Sequence, residues 1–287
     1  MKKKILVIFS CFLGLIAAQA QSPAGVKGDD PFFRWIAEMP GKQVKTGFFE
    51  KAFNLLTGTN PVEYKTPVNV IAYDTHNCLI VNQGDGTILN YHNGSTDMVP
   101  AFRKEHNRLP SLVGICRFSK DGILFTDSRM NNIYFLGNDF REYRKFNDTC
   151  RLDRPTGIAY SEATGEVWVV ETGSHRISVF DRNGIRKRII GRRGSKPAEF
   201  NYPTYIWIDR KGRVFIVDSM NFRIQVLSSA GEFITAFGQQ GSVSGTFARP
   251  RGVATDSQGN IYVVDALANV VQIFDISGRF LYYFGSQ

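Results

Sequence analysis

Several kinds of chemistry leave no trace in this chain of 287 residues. Its 4 cysteines never fall in Cys-x-x-Cys or Cys-x-x-Cys-His. That excludes a thioredoxin-like motif, covalent haem attachment and a zinc knuckle. Histidine is as scarce, with 4 in all, and none lies in His-Glu-x-x-His. The stretch NQGDG at Asn82–Gly86 resembles half a calcium loop but lacks the later glutamate. There is no Gly-x-Ser-x-Gly. The glycine-rich stretches Gly191–Gly194 and Gly238–Gly245 do not open a helix after a strand, so neither reads as a phosphate loop. The reading therefore assigns no catalytic residue, no metal ligand and no cofactor. Acids are the scarcer charge, 26 against 35 Lys and Arg, for a net +9. Such a balance favours anionic partners without naming one.

Long hydrophobic runs are also missing. The apolar stretch Ile5–Ala18 is short for a bilayer crossing. Preceded by Lys2, Lys3 and Lys4 and followed by Ala18-Gln19-Ala20, it has the pattern of a signal peptide over residues 1–20, cleaved near Ala20. Cys11 has a poor lipid-attachment context. The expectation is an exported chain, periplasmic or extracellular, with no transmembrane segment after cleavage. Losing the three lysines takes the charge from +9 to about +6. Cys78, Cys116 and Cys150 then remain, an odd number that allows either one disulfide with a free thiol or three buried thiols.

Residues 21–65 read as an N-terminal segment. Gln21–Asp30 is small, polar and disordered in character. Phe32–Met39 has strand character. Gly47–Leu56 places Phe49, Ala52, Phe53 and Leu56 on one helical face. That short helix either packs on the rest of the chain or docks a partner through Phe49, Phe53 and Leu56.

Residues 66–287 are dominated by repetition. RPTGIAYSEATGEVWVVETGSHRISVFDRNGIRKRIIG, YPTYIWIDRKGRVFIVDSMNFRIQVLSSAGEFITAFG and RPRGVATDSQGNIYVVDALANVVQIFDISGRFLYYFG align, with Pro155, Pro203 and Pro250 in phase. Glu171, Asp218 and Asp265 recur every 47 residues, as do Gly191, Gly238 and Gly285. Two weaker copies precede them, with Asn82 and Asp127 at the acidic position. A fixed period of this length marks stacked supersecondary units. Each copy holds four short runs rich in Val, Ile, Phe and Tyr. In the second aligned copy these are Thr204–Asp209, Arg213–Ser219, Arg223–Ser228 and Phe233–Gly238. Four antiparallel strands per repeat make a propeller blade, and the fold class is an all-β propeller with five recognisable blades.

The in-phase pattern Pro-x-Gly-[Val/Ile]-Ala, Gly-x-[Ile/Val]-[Tyr/Trp]-Val-Val-[Asp/Glu], then Gly-x-Phe-x-x-x-Phe-Gly resembles the NHL repeat. The resemblance to exported bacterial members implies a six-bladed ring. Five copies then leave three options: closure with five, a patch by the strand near Phe32–Met39, or a last blade that is absent or incomplete. The last is the expectation. The family implies a binding or scaffolding module, with a protein partner in the cell envelope or an anionic polymer as ligand. Some intracellular members bind RNA, but export places this chain away from nucleic acid. The alternative is a metal-dependent lactonase- or lyase-like enzyme, whose ligands would be polar exceptions on the innermost strands. Those positions read Val70, Val113, Ile158, Ile206 and Val253, with Asn69 the polar exception.

Two sets of charged residues stand out. Glu171 with Arg176, and Asp218 with Arg223, sit five apart across a hairpin. Recurrence in each blade points to architecture, and Asp265 faces Val270 without an arginine. Arg182–Lys196 concentrates Arg186, Lys187, Arg188, Arg192 and Arg193. It reads either as a charged edge strand that resists sheet pairing or as an anion-binding patch. His175, in a repeat turn, reads as a turn residue.

Overall fold

A computed structural model describes residues 62–147 and 150–285. The expected signal peptide, the strand at Phe32–Met39, the helix at Gly47–Leu56 and its residues Phe49, Phe53 and Leu56 lie outside them. No helix among the described residues is long and apolar enough to cross a membrane.

Five four-stranded antiparallel sheets follow one another along the chain. Blade 1 holds β1 (Pro67–Ala72), β2 (Asn77–Asn82), β3 (Thr87–His92) and β4 (Ser95–Met98). Blade 2 holds β5 (Leu112–Phe118), β6 (Gly122–Asp127), β7 (Asn132–Gly137) and β8 (Tyr143–Lys145). Blade 3 holds β9 (Pro155–Ser161), β10 (Glu166–Glu171), β11 (Arg176–Phe180) and β12 (Arg186–Ile190). Blade 4 holds β13 (Pro203–Ile208), β14 (Val214–Asp218), β15 (Arg223–Leu227) and β16 (Phe233–Phe237). Blade 5 holds β17 (Pro250–Thr255), β18 (Ile261–Asp265), β19 (Val270–Phe274) and β20 (Phe280–Gly285). The strands in blade 4 begin and end within a residue or so of the runs read from sequence.

The second strands of blades 2, 3 and 4 are apolar on both faces because each is sandwiched between two blades. In β10, Val167 and Val169 pack towards blade 2 with Leu124 and Ile133. Trp168 and Val170 alternate with them and pack towards blade 4 with Ile206 and Ile216. A period of two with both faces covered gives a continuous hydrophobic run. Similar clusters join blades 1 and 2 around Phe102 and Phe125, and blades 4 and 5 around Phe215 and Phe274.

The innermost strands pack in sequence: β1 on β5, β5 on β9, β9 on β13 and β13 on β17. No comparable contact joins β17 to β1 among the described residues. Among the described residues the blades number five, one for each repeat read from the sequence, and all twenty described strands belong to them, where the resemblance implies a six-bladed ring. On its other face, blade 1 packs Cys78, Ile80 and Leu89 against Val62 and Tyr64. Cys78, Cys116 and Cys150 are free thiols, the first two buried.

Antiparallel connection sorts the loops onto two ends of the molecule. The hairpins between second and third strands, and the links from blade to blade, share one end. The other end carries the turns that join first to second and third to fourth strands.

Candidate functional site

The linker end is built around one buried polar residue per blade. Asn82, Asp127, Glu171, Asp218 and Asp265 end the second strands and are at most 1% exposed. Each accepts a backbone N–H from the segment entering its own blade. Lys65 donates to Asn82 Oδ1 at 2.6 Å, Ser111 to Asp127 Oδ2 at 2.7 Å and Asp153 to Glu171 Oε2 at 2.9 Å. Asn201 donates to Asp218 Oδ1 and Ala248 to Asp265 Oδ2, both at 2.7 Å. A buried carboxylate needs such charge-assisted bonds to offset its lost hydration. The repeating acid therefore clips the incoming link to the hairpin.

The arginine across the hairpin adds to this clip where present. Arg176 Nε donates to Glu171 Oε1 at 3.0 Å, and Arg223 Nε to Asp218 Oδ2 at 2.9 Å. In blade 5, Asp265 is opposite Val270 and takes the N–H groups of Arg249, Leu267 and Ala268 instead. Sequence reasoning missed the third members of these networks, Ser178, Gln225 and Gln272. All three are buried. Their signal was a polar residue inside an otherwise apolar third strand. Gln225 Nε2 donates to Glu199 O and Gln272 Nε2 to Thr246 O, gripping the links before blades 4 and 5.

His175 belongs to the same apparatus. It has a left-handed backbone, φ 54°, as do Asn131 and Asn269 at the same hairpin position. Its Nδ1 accepts the Tyr202 N–H at 3.0 Å, while Asn131 Oδ1 accepts the Arg154 N–H at 2.8 Å. Burial, then the charges of Arg193 and Arg154, hold the imidazole pKa below its ordinary value. The ring thus stays neutral and can accept.

These carboxylates are taken up by the links and by Arg176 and Arg223, so further arginines of this end stand outside the clips. Arg129, Arg151, Arg154, Arg193 and Arg249 are exposed there. Between them stand large apolar tips: Met130 is 49% exposed, Met220 53%, Leu267 65% and Tyr202 38%.

The basic stretch at Arg182–Lys196 is mostly paired. Arg188 forms a two-point pair with Glu166, at 2.6 and 3.0 Å, and lies 5.2 Å from the Trp168 ring centre. Lys187 reaches the same Glu166 at 3.7 Å. Burial works to raise the Glu166 pKa, but Arg188 and Lys187 bring it below the usual range. Arg192 pairs with Glu199 at 3.0 Å and Arg182 with Asp121 at 3.2 Å. Arg186 lies along β12, away from the exposed Arg193 at the linker end. The five candidate cations are thus spread over an outer strand and a link.

Around the axis, the inner strands approach closely. A Cβ at Gly114 would lie 2.1 Å from Thr156 O, and one at Gly157 2.8 Å from Tyr205 Cα. Thr126 Oγ1 donates to Thr156 O at 2.5 Å, Thr172 Oγ1 to Pro203 O at 2.6 Å, and Asn69 Nδ2 to Val113 O at 3.3 Å. Burial pushes the Tyr205 hydroxyl up to about 12, with the Cys116 thiol near it. Among the described residues, no three His, Cys, Asp or Glu side chains converge as a metal site would require.

Comparison with known proteins agrees with this architecture. Residues 152–180 match the family described as NHL repeat, and residues 210–284 one described as 6-bladed beta-propeller. No curated protein matches the sequence. Among solved structures, the chain is similar to one in a nidogen/laminin complex, at 19% identity and a TM-score of 0.62, covering 77% of this chain and 81% of the other. It is also similar to virginiamycin B lyase from Staphylococcus aureus, at 19% identity and a TM-score of 0.56, covering 76% and 69%. A gluconolactonase from Xanthomonas campestris gives 18% identity and a TM-score of 0.55, covering 70% and 69%. At such identities the likeness is one of fold, which hosts binding proteins and enzymes alike.

Proposed function

We propose that this chain, an NHL-repeat β-propeller, is an exported binding or scaffolding module whose linker end docks an acidic protein partner in the cell envelope. One observation carries the reading. The repeating acids of the linker end are buried in clips, and the exposed Arg129, Arg151, Arg154, Arg193 and Arg249, with Asp153 among them, are interleaved with Met130, Met220, Leu267 and Tyr202. Arginine, methionine and tyrosine are enriched in protein interfaces, where the apolar tips supply contact and the cations supply specificity. The signal-peptide pattern of Met1–Ala20 supports export. A structural neighbour solved in a nidogen/laminin complex supports partnership with protein.

Within this reading Arg193 contributes directly. Arg186, Lys187, Arg188 and Arg192 extend the positive field along the outer strand, and an anionic polymer would use that same field. Phe49, Phe53 and Leu56 are a separate docking proposal. Deleting Gly47–Leu56 tests it, since loss of assembly with intact folding would support it. The alternative, a metal-dependent lactonase- or lyase-like enzyme, rests on fold likeness alone. About one divalent ion retained per chain after dialysis would revive it.

The main test measures binding of labelled poly-L-glutamate by fluorescence anisotropy. The paired variant Arg129→Glu with Arg249→Glu should weaken binding at least about tenfold. Lys120→Glu with Lys211→Glu, at the other end, should change it less than about threefold. Equal losses, or the reverse order, would remove the linker end from the proposal.

A further inference from the structure

Sulfur is unevenly placed among the described residues. Cys78 and Cys116 are buried free thiols, and Cys150 is a half-buried one. Burial pushes the Cys78 thiol up to about 11 and raises Cys116 and Cys150 as well. The thiolate is the form that attacks an oxidant, so all three are shifted towards the unreactive thiol. Met98 is half-buried, pairs with Leu89 across the sheet and packs on the core of blade 1. Met130 and Met220 differ. Each stands at a hairpin tip of the linker end with about half of its surface exposed.

The two positions correspond. Each follows the clip acid of its blade, Asp127 or Asp218, within three residues, in the connection from second to third strand. The backbone at each is pinned. The Met130 N–H donates to Asp127 Oδ1 at 2.7 Å, and the Met220 N–H to Asn201 O at 3.0 Å. Neither side chain belongs to a hydrophobic cluster of the described residues. The fold thus fixes where each side chain begins and does not depend on its thioether. Chemistry at the sulfur can change this surface and leave the blade intact.

A thioether needs no deprotonation to react. Its lone pair attacks one oxygen of hydrogen peroxide, the O–O bond breaks, and the departing hydroxide takes a proton to become water. Sulfur is oxidised by two electrons and the peroxide is reduced by two. The product sulfoxide is polar and chiral. Both tips stand among cations. Exposed Arg129 precedes Met130 in the chain. Gly194 O accepts the Asn221 amide at 2.8 Å, which sets exposed Arg193 beside the Met220 hairpin. A sulfoxide there replaces apolar contact area with a hydrated dipole, while the arginines keep their charge.

We propose that Met130 and Met220 are a paired oxidation site, converted to sulfoxide by peroxide, and that the conversion weakens docking at the linker end. The inference rests on the proposed docking of an acidic partner and adds its regulation. The free chain is the form that reacts, since a docked partner covers both tips. Reduction of the sulfoxides, the chemistry of a methionine sulfoxide reductase, restores the thioethers and the contact.

The experiment treats the full chain with dilute hydrogen peroxide, maps sulfoxides by peptide mass spectrometry and follows two ligands by fluorescence anisotropy. Met130 and Met220 should oxidise at least about fivefold faster than Met98. The ligands are poly-L-glutamate and a random glutamate–tyrosine copolymer, which adds aromatic contact to the same charge. The untreated chain should prefer the copolymer. Oxidation should weaken the copolymer at least about threefold and leave poly-L-glutamate within about twofold. Met130→Leu with Met220→Leu keeps apolar tips, and this variant should bind the copolymer equally before and after peroxide. A loss that persists in the variant, or that is equal for both polymers, would overturn the inference. So would equal oxidation of all three methionines, or oxidised tips with unchanged copolymer binding. No copolymer preference before treatment, with poly-L-glutamate still bound, would overturn the inference alone. Failure of both polymers to bind the untreated chain would overturn the docking proposal as well.

Discussion

The two ends of the propeller use carboxylates in opposite ways. At the linker end, Asp127, Glu171, Asp218 and Asp265 are buried, and each holds the incoming link to its blade. At the turn end, Asp181, Asp209, Asp256 and Asp275 accept N–H groups two to four residues ahead and close their own turns. The first arrangement is long-range in sequence and joins elements. The second is local and shapes a turn. One consequence is electrostatic. The repeating acids of the linker end are bonded to links and to Arg176 and Arg223, while Arg129, Arg151, Arg154, Arg193 and Arg249 are exposed there. Acids in turns stay beside the cations of their own turn, as Asp209 does with Arg213 and Asp275 with Arg279.

This contrast predicts a large difference in stability. Asp218→Ala would strand the Asn201 N–H and the side chains of Asn221, Arg223 and Gln225. Removing one member of a buried charged network costs about 3–5 kcal/mol. Urea unfolding should therefore show a sharp drop in midpoint, or loss of the folded state. Asp275→Ala removes a half-buried acid whose bonds all stay within its own turn and should move the midpoint less. Similar shifts for the two variants would dissolve the distinction between the ends.

A smaller effect separates two links at the same end. Arg223→Met loses Asp218 together with the carbonyls of Lys196 and Glu199. Arg176→Met loses Glu171 alone among its described partners. Arg223→Met should cost more, by about 1 kcal/mol for the additional bonds. Equal costs in urea unfolding would mean that the link before blade 4 is held by Gln225 without help from Arg223.

Much of the fold was legible in the sequence, because the clip residue and the Pro at the start of each first strand recur at a fixed period. Asp127 and Asn82 could be phased from Asp218 even where the surrounding copy had decayed. The number of blades in the ring was not legible that way, since closure depends on contacts between the first and last copies. The site was less readable still. A charge run such as Arg186–Arg193 stands out in sequence, but Glu166 and Glu199, which pair with it, lie far along the chain or across a turn. Conversely, Met130 and Met220 are single methionines in separate repeats. Their shared end, among exposed arginines, appears only when the strand order is known.

The smallest predicted effect distinguishes the ends by pH. His175 is held below its ordinary pKa by burial and by Arg193 and Arg154, with Asp153 and Asp218 acting weakly the other way. Below about pH 6.5 the unfolded chain takes up the proton first, so it binds more protons than the folded chain. Stability from this residue is therefore complete above that pH and declines as pH falls through it. Asp275, lowered to about 2 by its Ser277 and Arg279 bonds, acts in a separate window. Its contribution is present above the unfolded value near 3.8 and is lost as pH falls towards 2. His175→Asn keeps an acceptor for the Tyr202 N–H, as Asn131 does for Arg154 in the preceding blade, but cannot titrate. Between pH 7 and 5, the wild-type Tm should fall on the order of 1–2 °C more than that of the variant. Below pH 4, the two should lose stability in parallel, because the turn-end acids are common to both. A wild-type curve as flat as the variant's above pH 5 would mean that the His175 clip opens without cost when protonated.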